Sequence, residues 1–145
     1  MPTKKPDEFA AAQEALNAND LAGAKTLYER IIKRDSGNPL AFAGLGQVAY
    51  QKGYLDDAEA LFEEAYELGL EAFDGEMPKK LPWNQKNEGL LRAIHGRGMI
   101  AYRKNQTEDA RHWFELLLKL NPADQQGAHF FADAIKRGKK WAEMG

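Results

Sequence analysis

The strongest constraint on the fold is a pattern that recurs every 34 residues. Ala24 and Ala58 lie 34 residues apart, each inside a segment of the same design, NDLAGAKTLYERIIKRDS and GYLDDAEALFEEAYELGL. The segment NQTEDARHWFELLLKLNP carries this design again around Ala110. A period of this length is typical of stacked helical repeats, in which each helix pair leaves one face for its neighbour to cover.

Two further segments, PLAFAGLGQVAYQKG and LRAIHGRGMIAYRKN, precede the second and third copies and share the pattern G-x-x-A-Y. Inside a helix, Gly46 and Gly98 each cost about 1 kcal/mol relative to alanine. A helix tolerates that cost where another helix approaches closely, so we expect both glycines at helix–helix contacts. The aromatic residues expected to fill the space beside the small ones are Tyr28, Phe62 and Phe114.

These residues resemble the tetratricopeptide repeat. In that family a small residue and a glycine mark the first helix, then alanine, an aromatic and alanine mark the second, and a proline closes the repeat. Pro122 closes the third copy here, whereas Ser36 and Leu70 replace the proline in the first two, and Ala12 stands where glycine is usual. The resemblance covers nearly the whole chain outside residues 70–89. It implies an all-α fold, a right-handed α-α superhelix.

Start and stop signals predict about seven helices in a single domain. Asn38-Pro39 is a capping residue followed by proline at the first helical position, and Asp20 can cap another helix. The helices are predicted near residues 6–18, 21–34, 39–52, 55–69, 88–104, 107–119 and 124–138. The domain, 1–145, then comprises repeat one (5–38), repeat two (39–70), an insertion (71–88), repeat three (89–124) and a C-terminal capping helix (125–145).

The insertion interrupts the period between repeats two and three. Ala58 and Ala110 are 52 residues apart, and 52 less 34 leaves 18 extra residues. The flanking helices still need to stack, so we expect the insertion to bulge outwards. We predict that Trp83 packs near the junction of repeats two and three while the lysines stay in water. The alternative is a lid that covers the groove or supplies part of the binding surface.

Composition and motif searches exclude several classes of function. The absence of cysteine excludes disulfides, thiolate metal sites and a cysteine nucleophile, and fits a cytoplasmic location. No phosphate-binding loop, HExxH or G-x-S-x-G is present, so we predict neither catalysis nor a cofactor. No secretory signal or apolar stretch of membrane-spanning length appears. The net charge of −2 argues against nucleic acid as the main partner.

The charge is unevenly distributed along the chain. Residues 53–78 contain nine Asp or Glu and no Lys or Arg, whereas residues 79–145 contain thirteen Lys or Arg and seven Asp or Glu. Solvated helix faces would explain this, but opposite charges could also attract partners or each other. An alternative function is therefore a self-assembling scaffold, a head-to-tail oligomer or a homodimer through the capping helix. That helix and its tail offer Phe130, Phe131 and Trp141.

The resemblance also implies a concave groove lined by the first helices. The residues at the groove positions are Phe9, Gln13, Asn17, Gln47, Tyr50, Gln51, Arg92, His95, Met99, Tyr102 and Arg103. Such a mixture suits an extended or helical peptide, which predicts a non-enzymatic protein–protein interaction module. Half-buried packing is the alternative for Tyr50 and Tyr102. The family's chaperone-binding members clamp a carboxylate with lysines and asparagines, and only Arg92 fits that set, so we predict no such clamp.

The three histidines are spaced by 17 residues, half of the repeat. A metal site from His95, His129 and Asp133 is conceivable, because His129 and Asp133 share one helix face. The ligand set is sparse, however, and neighbouring helix axes lie about 8–10 Å apart. We therefore predict no metal and interpret these residues as polar groups that line the groove.

Overall fold

A computed structural model describes residues 7–144, and every regular element in that range is helical. Residues 5, 6 and 145 of the predicted repeat boundaries lie outside the described residues. The seven α-helices are α1 (Glu8–Asn17), α2 (Leu21–Arg34), α3 (Pro39–Gln51), α4 (Leu55–Glu71), α5 (Gln85–Arg103), α6 (Thr107–Leu120) and α7 (Ala128–Lys136). A 3-10 turn, Trp141–Glu143, follows them. The predicted all-α fold with seven helices is confirmed.

The helices stack in chain order, each against the next. The first helices of successive repeats also touch one another, α1 with α3 and α3 with α5. Within residues 7–144 the second helices α2, α4 and α6 make no comparable contact with one another. A stack whose first helices are closer together than its second helices curves towards the first, so α1, α3 and α5 form the concave face.

The predicted caps are present at the helix starts. The Asn38 side-chain oxygen accepts the backbone N–H groups of Leu40 and Ala41, with Pro39 at the first helical position. Asp20 accepts the N–H of Gly23 at the start of α2. Each carboxylate or amide oxygen satisfies backbone N–H groups that have no partner within the helix.

The capping helix begins at Ala128, four residues later than the predicted start at 124. Asp124 and Gly127 adopt left-handed conformations, with φ of 53° and 72°, and a helix cannot run through them. The Asp124 carboxylate accepts the N–H groups of Ala128 and His129, so it caps the helix from the preceding turn. Several polar residues precede α7, and each of them could have capped the helix. The sequence therefore did not identify Asp124 as the cap.

The expected close approaches of helices occur at the repeat glycines. A Cβ atom at Gly46 would lie 3.0 Å from the Phe62 ring, and one at Gly98 would lie 2.9 Å from the Phe114 ring. Both rings are buried. Real Cβ contacts are longer than this, so the small residues let the aromatic side chains of the second helices close the space between the helices.

The irregular segment between α4 and α5 spans residues 72–84, and a buried leucine holds it against the body. Helix α4 continues to Glu71 and α5 begins at Gln85, so both flanking helices extend into the predicted 71–88 range. Leu81 is 0% exposed, and its N–H donates to the Leu120 carbonyl over 2.8 Å. Trp83 is half-buried against the same core, as expected, while the three lysines of the segment are exposed.

Some of the acidic and basic residues of the two oppositely charged regions pair with each other within the chain. The Lys104 Nζ atom, at the end of α5, lies 2.6 Å from Asp56 and 2.9 Å from Glu59 on α4. These bonds raise the pKa of Lys104 and lower that of Asp56. The acidic second repeat and the basic third repeat therefore attract each other inside one molecule, which leaves fewer of these charges for head-to-tail assembly.

Candidate functional site

The concave face holds two adjoining cavities, of about 270 Å³ and 40 Å³. The larger lies between α1 and the first turns of α5, and the smaller lies deeper, over α3. Both are lined by Gln13, Tyr28, Leu40 and Arg92. The groove is therefore continuous from the start of α1 to the centre of the stack.

Four of the predicted groove residues come together around the smaller cavity: Gln13, Gln47, Arg92 and His95. Asn17 and Gln51 are exposed at the ends of α1 and α3, and Asn17 accepts a hydrogen bond from Gln13. Phe9, also at a groove position, lines the larger cavity. Four of the predicted residues, on three helices, therefore line one cavity.

Arg92 is held at the rim by two neighbours. Its Nε lies 3.4 Å from the Glu88 carboxylate, one helical turn earlier on α5. Its guanidinium also lies over the Trp83 ring, 5.5 Å from the centroid. The insertion therefore reaches the groove through Trp83 and orients the cation that lines both cavities. The Arg92 Nε is buried and forms no hydrogen bond of good geometry.

His95 is a neutral histidine on the floor of the groove. Burial, and to a lesser extent the Arg92 charge, lower its pKa to about 4, although Asp124 and the Gln126 backbone act in the opposite direction. Its Nε2 atom is buried and has no partner in the protein. At neutral pH the ring is uncharged, so one ring nitrogen can donate a hydrogen bond and the other can accept one.

Gln126 belongs to the site although sequence analysis missed it. It lines the smaller cavity from the loop between α6 and α7, and its Oε1 atom is buried without a partner. The repeat frame assigns groove positions only to helices, and this loop position has no periodic signal. Tyr28, on a second helix, also reaches both cavities, because Gly44 leaves room for its ring on α3.

Tyr50 and Arg103 form a separate pair beyond the cavities. The Arg103 guanidinium lies 5.2 Å from the Tyr50 ring centroid, and its Nη1 donates to the Tyr50 carbonyl over 3.5 Å. Burial raises the pKa of Tyr50, an effect that Arg103 partly opposes. The phenol oxygen is buried without a partner. The two residues link α3 to α5.

Tyr102 is covered by the chain's own C-terminal segment, so it does not line an open groove. It is 0% exposed, and its hydroxyl donates to the Lys139 carbonyl over 2.6 Å. Met99, one turn earlier, is half-buried against the core. Packing, the alternative for this tyrosine, is what the structure shows. The repeat frame could not reveal the cover, because residues 138–144 follow the last repeat helix.

The metal candidates do not converge. His129 is exposed on α7 and pairs with Asp133 over 3.1 Å, whereas His95 is half-buried, with its Nε2 atom covered, beside the smaller cavity. Within residues 7–144 no three His, Cys, Asp or Glu side chains are placed to hold a metal ion. In the same range, no helix combines the length and apolarity that are needed to cross a membrane.

Comparison with known families supports the repeat pattern seen in the sequence and the stack. Models of the tetratricopeptide repeat match residues 9–74 and 91–124. The chain belongs to the tetratricopeptide repeat family. The unmatched stretch between the two ranges, 75–90, contains most of the insertion, where this tetratricopeptide repeat chain departs from the family pattern. A search of curated proteins finds no match to it.

Tetratricopeptide repeats generally mediate protein–protein interactions and are typically non-catalytic. The positions at which chaperone-binding members carry their clamp hold Phe9, Gln13, Gly44, Arg92 and Gly96 here. A Cβ atom at Gly44 would lie 2.3 Å from the Tyr28 ring, and one at Gly96 would lie 2.5 Å from the Phe62 ring. Long polar side chains do not fit at these two positions of this tetratricopeptide repeat, which supports the prediction that the clamp is absent.

Proposed function

We propose that this chain is a non-catalytic interaction module that binds an extended or helical segment of another protein in its concave groove. The observation that carries the proposal is a pair of buried polar atoms without hydrogen-bond partners, His95 Nε2 and Gln126 Oε1, which both line the smaller cavity. Arg92, whose Nε lies 3.4 Å from the Glu88 carboxylate, lines the cavity beside them. Buried polar groups in folded proteins are normally hydrogen-bonded, so this pair favours a site that pairs with an incoming chain.

The chemistry of the smaller cavity suits main-chain amides. Gln13, Gln47 and Gln126 each offer a carbonyl acceptor and an amide donor, and the neutral His95 ring adds its Nε2 atom, which has no partner in the protein. A peptide bond presents the same two groups. Among residues 7–144, Arg92 is the one cation that lines the cavities, and it is already paired with Glu88. The groove therefore favours an uncharged backbone stretch over a strongly acidic tail.

Gln47→Ala is expected to weaken peptide binding about fivefold, the effect of one lost hydrogen bond of about 1 kcal/mol. The probe is a peptide selected on the wild-type chain from a random-peptide phage library, with affinity measured by fluorescence polarisation. Gln47 is half-buried, so thermal unfolding of the variant is followed alongside.

Gln106→Ala is the matched control, because it removes the same side chain from the opposite face. Gln106 is exposed and lines the outer groove between α4 and α6. It should bind the selected peptide as the wild type does. If both variants bind the peptide with the affinity of the wild type, the concave groove is not the binding site. If only the Gln106 variant loses affinity for the peptide, binding is at the outer face.

A second candidate function, self-assembly into a homodimer, is favoured by one surface feature. Phe130 on α7 is 62% exposed. It borders a crevice of about 290 Å³ that is also lined by Ala134 and Met144. Apolar side chains at the end of a repeat stack are suited to packing against a second copy.

Sedimentation equilibrium tests this second candidate. A dimer through α7 should dissociate on Phe130→Asp and persist on Tyr54→Asp, because Tyr54 is similarly exposed, at 59%, but lies at the start of α4. An association that both variants retain, yet that disappears at high salt, would instead point to charge-driven assembly. A wild-type monomer at every accessible concentration would rule out this function.

A further inference from the structure

The C-terminal segment, residues 138–144, lies against the concave side of α5. Its Lys139 carbonyl accepts the Tyr102 hydroxyl over 2.6 Å. Its Trp141 ring meets the Tyr102 ring edge to face, with 5.8 Å between centroids. Tyr102 has no exposed surface as a result of this and the surrounding packing.

These contacts have the form of a bound peptide. The segment leaves α7 at Gly138, whose φ of 75° reverses the chain direction after the helix. It forms only one 3-10 turn, and Lys139 and Lys140 remain exposed. One main-chain carbonyl and the aromatic side chain two residues later supply the polar and aromatic contacts with Tyr102.

The position lies on the same helix face as a residue of the groove described above. His95, Met99 and Tyr102 are spaced by four and three residues, so they share one face of α5. Phe131 on α7 lies between the two ends of this row, 6.1 Å from His95 and 6.3 Å from Tyr102 between ring centroids. A segment that binds over His95 therefore has to cross the Phe131 ring to reach Tyr102 along the same helix.

We propose that the concave side of α5 at Tyr102 is a subsite for a partner's extended segment, and that residues 138–144 fill it as an internal ligand. The partner segment presents a main-chain carbonyl followed two residues later by an aromatic side chain. This inference rests on the proposed function of the groove. A tethered ligand competes at a high effective concentration, so the partner needs additional groove contacts to displace it.

The test uses the full chain and a fluorescein-labelled peptide of residues 137–144, RGKKWAEM. Trp141→Ala weakens the internal ligand, so the labelled peptide should bind this variant about tenfold more tightly than the wild type, by fluorescence polarisation. Trp113→Ala is the matched control. Trp113 packs on Tyr66 and Arg97, away from Tyr102, and its loss should leave peptide binding at the wild-type level.

Two changes test the recognition chemistry itself. Tyr102→Phe in the Trp141→Ala chain keeps the ring but removes the hydroxyl donor, so peptide binding should fall about fivefold. A labelled peptide with alanine in place of its tryptophan should not bind. The rate of trypsin cleavage after Lys140 gives an independent readout. We expect cleavage to be faster in Tyr102→Phe and Trp141→Ala than in the wild type, and unchanged in Trp113→Ala.

The proposal is overturned if the Trp141→Ala chain fails to bind the peptide, binds it no better than the wild type, or binds the alanine peptide equally well. It is also overturned if the segment is exchanged between two copies, which sedimentation would reveal as a dimer that Trp141→Ala dissociates. These results do not depend on the phage-selected peptide. The experiments can therefore contradict the proposal for the Tyr102 subsite without contradicting the proposed function of the groove, and the reverse.

Discussion

Replacing Leu81 with alanine is expected to lower the free energy of unfolding by about 3 kcal/mol, the usual loss for a fully buried leucine. Leu81 is 0% exposed and belongs to the core cluster formed with residues of α5, α6 and α7. The alanine would leave a cavity between the insertion and α6, since the adjacent backbone is held by a 2.8 Å hydrogen bond to Leu120. The melting temperature should fall by about 10 °C in a domain of this size.

The measurement is chemical denaturation followed by circular dichroism. Lys79→Ala is the control, because Lys79 lies in the same irregular segment but is exposed. It should change stability by less than about 0.5 kcal/mol. A Leu81→Ala chain as stable as the Lys79→Ala chain would mean that the insertion is a loosely attached loop, and the account of its packing would be wrong.

Gly89→Ala is expected to destabilise the protein by about 2 kcal/mol, although alanine is the better helix former by about 1 kcal/mol. A Cβ atom at Gly89 would lie 2.6 Å from the backbone nitrogen of Leu40 and 2.8 Å from the carbonyl carbon of Pro39. Backbone atoms in the first turn of α3 cannot rotate aside as a side chain can. Helices α3 and α5 would have to separate, which would disturb the contact that shapes the groove.

Gly37→Ala is the control for this substitution. A Cβ atom added at Gly37 would have a Leu68 methyl group as its nearest neighbour, at 4.0 Å. The φ angle of Gly37 is outside the left-handed region. Urea denaturation of both variants should therefore separate crowding from the general effect of replacing a glycine. If Gly89→Ala proves as stable as the wild type or more so, the close approach of α3 and α5 is not needed for stability.

Both substitutions concern the support of α5, the helix that carries Arg92 and His95. The insertion holds the start of this helix through Leu81 and orients Arg92 through Trp83. Its part in the groove is therefore structural: it positions a groove helix and one cation. This explains how an interruption of the repeat pattern is compatible with an intact stack.

The repeat frame predicted much of the fold and four of the eleven residues that line the smaller cavity. Gln13, Gln47, Arg92 and His95 came from helix positions alone, and the structure brings them together. Gln126 and Tyr28 were missed. The first lies in a loop without a period, and the second belongs to a helix that the frame assigns to the outer layer.

The sequence by itself determined the helices, their caps at Asp20 and Asn38, and the contacts of Gly46 and Gly98 with aromatic rings. These features depend on residues a few positions apart or on a spacing that recurs, so a linear pattern encodes them. Only the tertiary structure decided where Leu81 docks and that residues 138–144 cover Tyr102. Irregular segments have no period, and their positions depend on surfaces that exist only once distant helices have packed.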